Sequence, residues 1–202
     1  MKRSTSSDER FDDAYYDRYY RNPKTRVQTP QAIAKLARGV LAMAAYWDIP
    51  IDSALDVGAG LGWWKAGLLN ERPSLKYRGV DISAAACKAA GLEQRDISRW
   101  RDNEKYDLVI CQGVLQYLTD RACALAIENL AAMTSSLLYL EALTRHDVDE
   151  VVDLERTDSA VHLRTGAWYR ERLDRHYIPL GCGLYCSRLA AHPFFELETA
   201  SV

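Results

Sequence analysis

Short apolar segments alternate with amphipathic segments from residue 53 to residue 143, and this alternation limits the possible folds more than any other feature of the chain. The apolar segments have the length of buried strands, and the segments between them have the helical spacing of apolar residues. Strands that alternate with helices predict βαβ units and a parallel sheet that is covered on both faces. The predicted strands are 53–57, 77–82, 92–97, 106–111 and 137–143, and the predicted helices are 63–70, 84–90 and 120–133.

The segment after residue 143 departs from this pattern. Residues 144–164 are polar and cannot be assigned to an element, and Thr165 is a candidate N-cap for a helix that runs to about residue 175. Segments 176–180 and 184–189 are two short strands whose connection is so tight that only an antiparallel pair is possible. The expected fold is therefore α/β, with a Rossmann-like, mostly parallel seven-stranded sheet, helices on both faces and a C-terminal antiparallel hairpin.

Residues 11–52 precede the first strand and are expected to form N-terminal helices. Aromatic residues recur there at helical spacing, and Thr29-Pro30 indicates the start of a second helix that runs to about residue 47. Two interpretations of segment 11–22 stay open: a lid over a ligand site, or an amphipathic helix packed on the sheet. The expected organisation is a disordered tail over 1–10, a helical cap over 11–52, a core over 53–190 and a C-terminal tail over 191–202. The aromatic residues are Phe11, Tyr15, Tyr16, Tyr19 and Tyr20.

Composition excludes several classes of protein. The net charge of -2 gives no electrostatic footprint for nucleic acid or an anionic membrane. No apolar run is long enough for a signal peptide or a membrane span, so a cytoplasmic location is expected. The five cysteines are odd in number and form no C-x-x-C pair. They are therefore expected to be buried free thiols, and no metal site is predicted.

A glycine-rich turn directly follows the first strand and directly precedes a helix. Its sequence is Asp56-Val57-Gly58-Ala59-Gly60-Leu61-Gly62. Glycines at this point let the backbone turn sharply and approach a ligand, and the first N–H groups of the next helix favour a carboxylate. The dinucleotide fingerprint G-x-G-x-x-G/A would place its last small residue at Trp63, which is too bulky. A nicotinamide or flavin cofactor is therefore disfavoured.

The turn, with its G-x-G-x-G spacing and an acidic residue before it, resembles the first motif of class I S-adenosylmethionine (SAM)-dependent methyltransferases. Three further segments resemble motifs of this family in the same order: Asp81 ends the second strand, Asp96-Ile97 ends the third, and residues 107–118 resemble the fourth-strand motif. The resemblance covers about residues 53–190 and includes the antiparallel finish. It implies SAM as the cofactor and S-adenosylhomocysteine (SAH) as the product.

The resemblance also implies roles for particular residues. Asp81 would bind both ribose hydroxyls, although a strand-ending aspartate can instead cap the next helix. Asp96 and the Ile97 N–H would receive the adenine, and Gln112 would lie beside the methionine part. The full set of cofactor-binding candidates is Asp56, Gly58, Ala59, Gly60, Gly62, Asp81, Ile82, Asp96, Ile97 and Gln112.

Catalytic candidates follow the strands that would face the cofactor: Tyr117, Glu141 and His146. A general base is needed only if the acceptor loses a proton, so a structural alternative stays open for each: a packed tyrosine, a strand carboxylate and an exposed loop histidine. The Asp/Asn-Pro-Pro-Tyr/Phe tetrad of enzymes that methylate planar amines is absent at 111–114, and Cys111 is expected to be core. Neither segment 11–22 nor segment 144–164 is large enough to be a dedicated macromolecule-binding domain, and this favours a small-molecule acceptor. A non-catalytic SAM-binding subunit and an RNA or protein methyltransferase remain as alternatives.

Overall fold

A computed structural model describes residues 10–200 of the chain. Its centre is a seven-stranded sheet with strand order β3-β2-β1-β4-β5-β7-β6. Neighbouring strands are parallel except where β7 pairs with β5 and β6, so only β7 is reversed. The predicted fold is thus confirmed, including the C-terminal antiparallel hairpin. None of the helices in this part of the chain is long and apolar enough to cross a membrane.

The strands and helices follow the sequence pattern closely. The strands are β1 Ser53–Val57, β2 Lys76–Asp81, β3 Glu93–Gln94, β4 Tyr106–Gln112, β5 Thr134–Glu141, β6 Tyr177–Gly181 and β7 Leu184–Ser187. The helices are α1 Asp13–Tyr16, α2 Pro30–Tyr46, α3 Trp63–Glu71, α4 Ala84–Ala90, α5 Asp120–Met133, α6 Arg145–Glu150 and α7 Gly166–Leu173. A π-helical turn, Asp17–Arg21, extends α1, and a 3-10 turn, Leu115–Tyr117, follows β4.

Alternating side chains of the strands form two cores, one on each face of the sheet. Leu55 of β1 belongs to the core that includes Ile127 of α5, and its neighbour Ala54 belongs to the core that includes Ala37 of α2 and Leu68 of α3. This two-residue period is the reason that the strands are apolar throughout. Helix α2, expected as part of an N-terminal cap, is thus a layer of the sheet packing.

Three details differ from the expectations. The third strand is only two residues long, because the chain after Gln94 turns at Asp96, whose carbonyl accepts the N–H groups of Arg99 and Trp100. The polar segment 144–164 contains α6. Cys182 is exposed in the hairpin turn at a φ of 48°, whereas the other four free cysteines are buried as expected. The predicted disordered tail lies outside the described residues except for Arg10.

Candidate active site

One cavity of about 1070 Å³ opens at the carboxyl ends of β1, β2, β4 and β5. The strand order reverses between β1 and β4, and this is the position at which open α/β sheets bind ligands. Its volume is at the upper end of small-molecule sites, about 300–1,000 Å³. Nearly all the predicted cofactor-binding residues line it: Asp56, Gly58, Ala59, Gly60, Asp81, Ile82, Asp96, Ile97 and Gln112.

The glycine turn adopts the backbone that its composition predicts. Gly58, Gly60 and Gly62 have φ values of 73°, 51° and 72°, in the left-handed region. A Cβ on Gly58 would lie 2.2 Å from Cγ2 of Val114, so the turn and the segment after β4 can approach only because this residue is glycine. Gly62 is the N-cap of α3 and does not line the cavity.

Asp81 holds the turn in place from the end of β2. One carboxylate oxygen accepts the N–H of Gly60 at 2.9 Å, and the other accepts the N–H of Ser83 at 2.8 Å. A carboxylate has about four acceptor positions, so both oxygens can accept further donors. Burial raises the pKa of Asp81 above its usual value, and these backbone hydrogen bonds oppose the rise. Asp81 therefore has a structural role that is compatible with ligand binding.

Asp56 lies deeper, at the end of β1. Its side chain is almost fully buried, and the hydroxyl of Tyr77 donates to one oxygen at 2.7 Å. Burial raises the pKa of Asp56 from 3.8 to about 7, although the Tyr77 hydrogen bond lowers it. The nearby Asp81 raises it further. Asp56 is thus a carboxyl group that changes charge near neutral pH inside the cavity wall.

Asp96 and Ile97 face the cavity at the end of the short third strand. The Asp96 carboxylate accepts the N–H and hydroxyl of Ser98 and lies 3.6 Å from Arg99. The carbonyl of Ile97 accepts from the Asn129 amide, which fixes this segment on α5. Trp100 stacks near Arg78 and Arg95 and packs on the core, so it does not line the cavity.

A chain of hydrogen bonds joins the ends of β4 and β5. The Trp64 indole donates to the Gln112 oxygen at 2.8 Å, and the Gln112 amide donates to Glu141 at 3.0 Å. The Tyr139 hydroxyl also donates to Glu141, at 3.2 Å. Gln112 is therefore fixed from both sides, and Glu141 is held at the mouth of the cavity.

The aromatic N-terminal segment forms a wall of the same cavity. The Tyr15 and Tyr117 hydroxyls are 2.8 Å apart, and the Phe11 ring lies 5.0 Å from both the Tyr15 and Tyr117 rings. Burial raises the pKa of Tyr117 well above its usual range. Of the two interpretations left open, the structure favours a cover over the cavity. The aromatic lining residues of this segment are Phe11, Tyr15, Tyr16, Tyr19 and Tyr20.

Segment 144–164 contributes the opposite wall. Arg164 is buried and donates to the carbonyls of Leu115 and Leu118 and to Tyr169, which ties the segment to the turn after β4. Asp158 lines the cavity and accepts from Arg10 at 2.7 Å. This wall thus also holds the start of the N-terminal segment.

The catalytic candidates do not all reach the cavity. Tyr117 and Glu141 line it, whereas His146 is exposed on α6 and does not. Thr144 caps α6 together with Asp147, and this capping box turns Asp147 toward the cavity side instead. Within residues 10–200, no group of three or more potential ligands is placed to hold a metal ion.

Sequence reasoning missed Gln116. It lies in the turn after β4, lines the cavity and is 8% exposed, yet its Oε1 atom has no hydrogen-bond partner among the described residues. Buried polar atoms normally have a partner, so this oxygen is a candidate ligand contact. Its position inside the fourth-strand motif, directly before Tyr117, was the only signal available in the sequence.

Residues 55–136 match the family model described as a methyltransferase domain. Residues 55–136 are thus similar to a methyltransferase domain. The matched residues run from β1 to the start of β5 and include the glycine turn, Asp81, Asp96 and Gln112. The domain's match confirms the resemblance drawn from these motifs. Among curated protein sequences, nothing matches the chain significantly.

Solved structures share the fold of this methyltransferase domain. One is an S-adenosylmethionine-dependent methyltransferase from Clostridium acetobutylicum (14% identity, 87% of this chain and 96% of that chain, TM-score 0.62). A second is the magnesium protoporphyrin IX methyltransferase from Synechocystis with bound SAM (16% identity, 89% and 94% covered, TM-score 0.62). A third is a sugar N-methyltransferase from Streptoalloteichus (24% identity, 64% and 53% covered, TM-score 0.51). At such sequence identities, the similarity shows a shared fold alone.

Proposed function

We propose that this protein is a SAM-dependent methyltransferase that acts on a small-molecule acceptor. The observation that carries the proposal is the convergence of the glycine turn, Asp81 and Asp96 on one cavity at the reversal of the strand order. The match of residues 55–136 to a methyltransferase domain supports it. Solved structures of the same fold with bound SAM or SAH also support it.

The residues on one side of the cavity fit the nucleoside of SAM. We call them the cofactor wall: Asp56, Gly58, Gly60, Asp81, Asp96 and Ile97. Asp81 has free acceptor positions for ribose hydroxyls, and Asp96 is a carboxylate that suits the adenine amino group. The glycines of the turn before α3 have no side chains, so they leave room for the methionine part of SAM near Gln112. The buried carboxyl group of Asp56, whose pKa burial raises to about 7, lies beside the position of the cationic ligand.

The other side would receive the molecule that is methylated. We call it the acceptor wall: Phe11, Tyr15, Tyr20, Gln116, Tyr117 and Glu141. When bound, SAM supplies a methyl group that is attached to a sulfonium. The acceptor atom bonds to the methyl carbon as the carbon–sulfur bond breaks. The acceptor wall then holds the acceptor in line and excludes water, and such positioning supplies much of the rate. The wall is built by short segments that close over the cavity, which suits a small molecule.

Two finer features belong to the same proposal. Residues 53–190 form the catalytic core, and residues 11–27 rather than the whole of 11–52 form the cover, because α2 packs in the sheet core. The protein acts in a reducing compartment such as the cytoplasm, consistent with five free cysteines, four of them buried.

Calorimetric titration with SAM and SAH tests the proposal. Both are expected to bind with one site per chain, while NAD, which the bulky Trp63 disfavours, binds far more weakly. Absence of SAM and SAH binding at millimolar concentration would refute the proposal. Binding of both without turnover of any acceptor in a broad screen would instead indicate a non-catalytic SAM-binding protein.

A further inference from the structure

Two side chains of the acceptor wall have oxygen atoms that can accept hydrogen bonds from a ligand. Gln116 Oε1 is buried without a partner. Glu141 accepts from Gln112 and Tyr139, but no lysine, arginine or histidine of residues 10–200 lies within ion-pair distance of it. A buried amide oxygen and an unpaired carboxylate in one cavity both favour a ligand that donates hydrogen bonds.

The arginines that line the cavity are all paired. Among its described lining residues there are three arginines and no lysine, and each arginine pairs with a carboxylate. Arg10 pairs with Asp158, Arg95 with Glu93, and Arg99 with Asp96. A carboxylate or phosphate on the acceptor would therefore lie near the Glu141 carboxylate, with every arginine of the lining already paired.

Aromatic residues line the same cavity as Gln116 and Glu141. Tyr117 adjoins Gln116 in the chain, and the Tyr15 and Tyr20 rings lie 6.1 Å apart across the same wall. Burial and the nearby charge of Asp81 raise the pKa of Tyr20 to about 12, and Glu141 contributes to this rise, so Glu141 acts on the same ring cluster. The guanidinium of Arg10 already lies 4.8 Å from the Tyr117 ring centroid. The wall thus has the surface that organic cations prefer.

We propose that the acceptor is a small organic amine, which binds as an ammonium ion between Gln116, Glu141 and the aromatic rings. This inference rests on the proposed function. An ammonium group brings up to three N–H donors and no acceptor, whereas a hydroxyl brings one donor and two lone pairs. Methylation requires the neutral amine, so one N–H proton passes to Glu141 and on to water. The nitrogen lone pair then bonds the methyl carbon, and the electron pair of the broken carbon–sulfur bond stays on sulfur.

Equilibrium binding to the full-length protein loaded with SAH tests this assignment. The probes are phenethylamine, phenethyl alcohol and phenylacetate, which share ring and chain and differ in the charge of the end group. The amine is expected to bind at least about tenfold more tightly than either analogue. Equal affinities, a preference for phenylacetate, or no binding of phenethylamine at millimolar concentration would overturn the assignment.

Three variants test which side chains cause the preference for the amine. Glu141→Gln and Gln116→Met are each expected to reduce the preference for the amine by about fivefold or more. Glu104→Gln, an exposed glutamate outside the cavity, is expected to leave it within about twofold. A preference that survives both cavity variants would overturn the proposal.

The affinity for SAH distinguishes a failure of the proposed function from a failure of the proposed acceptor class. If SAH does not bind the unmodified protein, the proposed function itself fails. If SAH binds and the amine preference is absent, only the acceptor class is wrong. If Glu141→Gln weakens SAH by about tenfold and spares the amine preference, Glu141 pairs with the cofactor's own ammonium and the assignment is overturned.

Discussion

The two walls of the cavity are built in different ways. The cofactor wall comes from residues at or just after the carboxyl ends of β1, β2 and β3. Neighbouring backbone fixes it, as in the hydrogen bonds from the Gly60 and Ser83 N–H groups to Asp81. The acceptor wall joins segments that are distant in sequence: Tyr15 and Tyr117 are 102 residues apart. The sheet therefore determines the first wall, whereas loops determine the second. Loops tolerate change better than strands, so acceptor specificity can vary while cofactor binding is kept.

The largest effect is expected where the two walls meet, at Gly58. In Gly58→Ala the new methyl adds left-handed strain of about 1–2 kcal/mol and a clash with the stiff Val114 side chain of about 1–3 kcal/mol. Chemical denaturation should show a combined loss of roughly 2–5 kcal/mol in the free energy of unfolding. The matched control is Gly91→Ala, with a φ of 64° but nothing within 4 Å of the added Cβ, which should lose only the strain. Equal losses would show that close packing on Val114 does not require this glycine.

The buried position of Asp56 in the cofactor wall predicts a pH dependence. Its pKa is raised from 3.8 to about 7 in the folded protein, so folding favours the neutral carboxyl. The resulting stabilisation is complete below the unfolded pKa and is lost as the pH rises through the folded pKa. Relative to Asp56→Asn, the unmodified protein should lose roughly 2–4 kcal/mol of unfolding free energy from about pH 4 to about pH 8.

Urea denaturation of both proteins across that pH range measures the difference. The exposed Asp52→Asn variant is the control for removing one carboxylate from the same region. A difference between Asp56→Asn and the unmodified protein that stays constant with pH would show that Asp56 is ionised in the same way in the folded and unfolded chain.

Asp81 distinguishes the cofactor wall from the acceptor wall. Removing its charged oxygens in Asp81→Ala should weaken SAH binding by about 1.5–3 kcal/mol, roughly 10- to 150-fold. Glu141→Gln, in the acceptor wall, should leave SAH affinity within about twofold. Asp81→Asn separates the loss of charge from the loss of the bonds to the turn. Unchanged SAH affinity in Asp81→Ala would remove Asp81 from the cofactor wall.

The smallest effect is expected in the acceptor wall itself. Tyr15→Phe removes one hydroxyl of the Tyr15–Tyr117 pair and should lower the free energy of unfolding by about 0.5–1.5 kcal/mol. Amide hydrogen exchange should accelerate in residues 13–21 and stay unchanged in the strands. Tyr46→Phe, at a residue that is 70% exposed, is the control. Exchange that accelerates equally in the strands would mean that the cover and the sheet unfold as one unit.

The same contrast explains what the sequence could predict. Asp56, Asp81 and Gln112 were predicted as cofactor-binding residues because they belong to motifs that resemble the methyltransferase family. They line one cavity because the carboxyl ends of parallel strands meet at one edge. The bounds of α4 and α5 were also predicted, because Ser83 and Thr119 cap them. Local signals were sufficient for the fold, and they also identified most of the residues that line the cavity at the ends of the strands.

The acceptor wall depended on contacts that no local pattern encodes. His146 was chosen for its nearness to β5 in the chain, but α6 begins at Arg145 and leaves it exposed. Gln116 was missed because its side-chain oxygen is notable only for being buried without a hydrogen-bond partner. Only the surrounding packing reveals this. The spacing of the N-terminal tyrosines was sufficient to propose a cover. Which part of the molecule this segment packs on became clear only from the contact between Tyr15 and Tyr117.

A crystal structure of the protein with SAH tests the division between the two walls most directly. The account predicts ribose hydroxyls within hydrogen-bond distance of Asp81, the adenine between Asp96 and the Ile97 N–H, and Gln116 and Glu141 facing an open space beside the sulfur. A complex in which SAH lies against the tyrosines and Glu141, with Asp81 bonded only to Gly60 and Ser83, would contradict it.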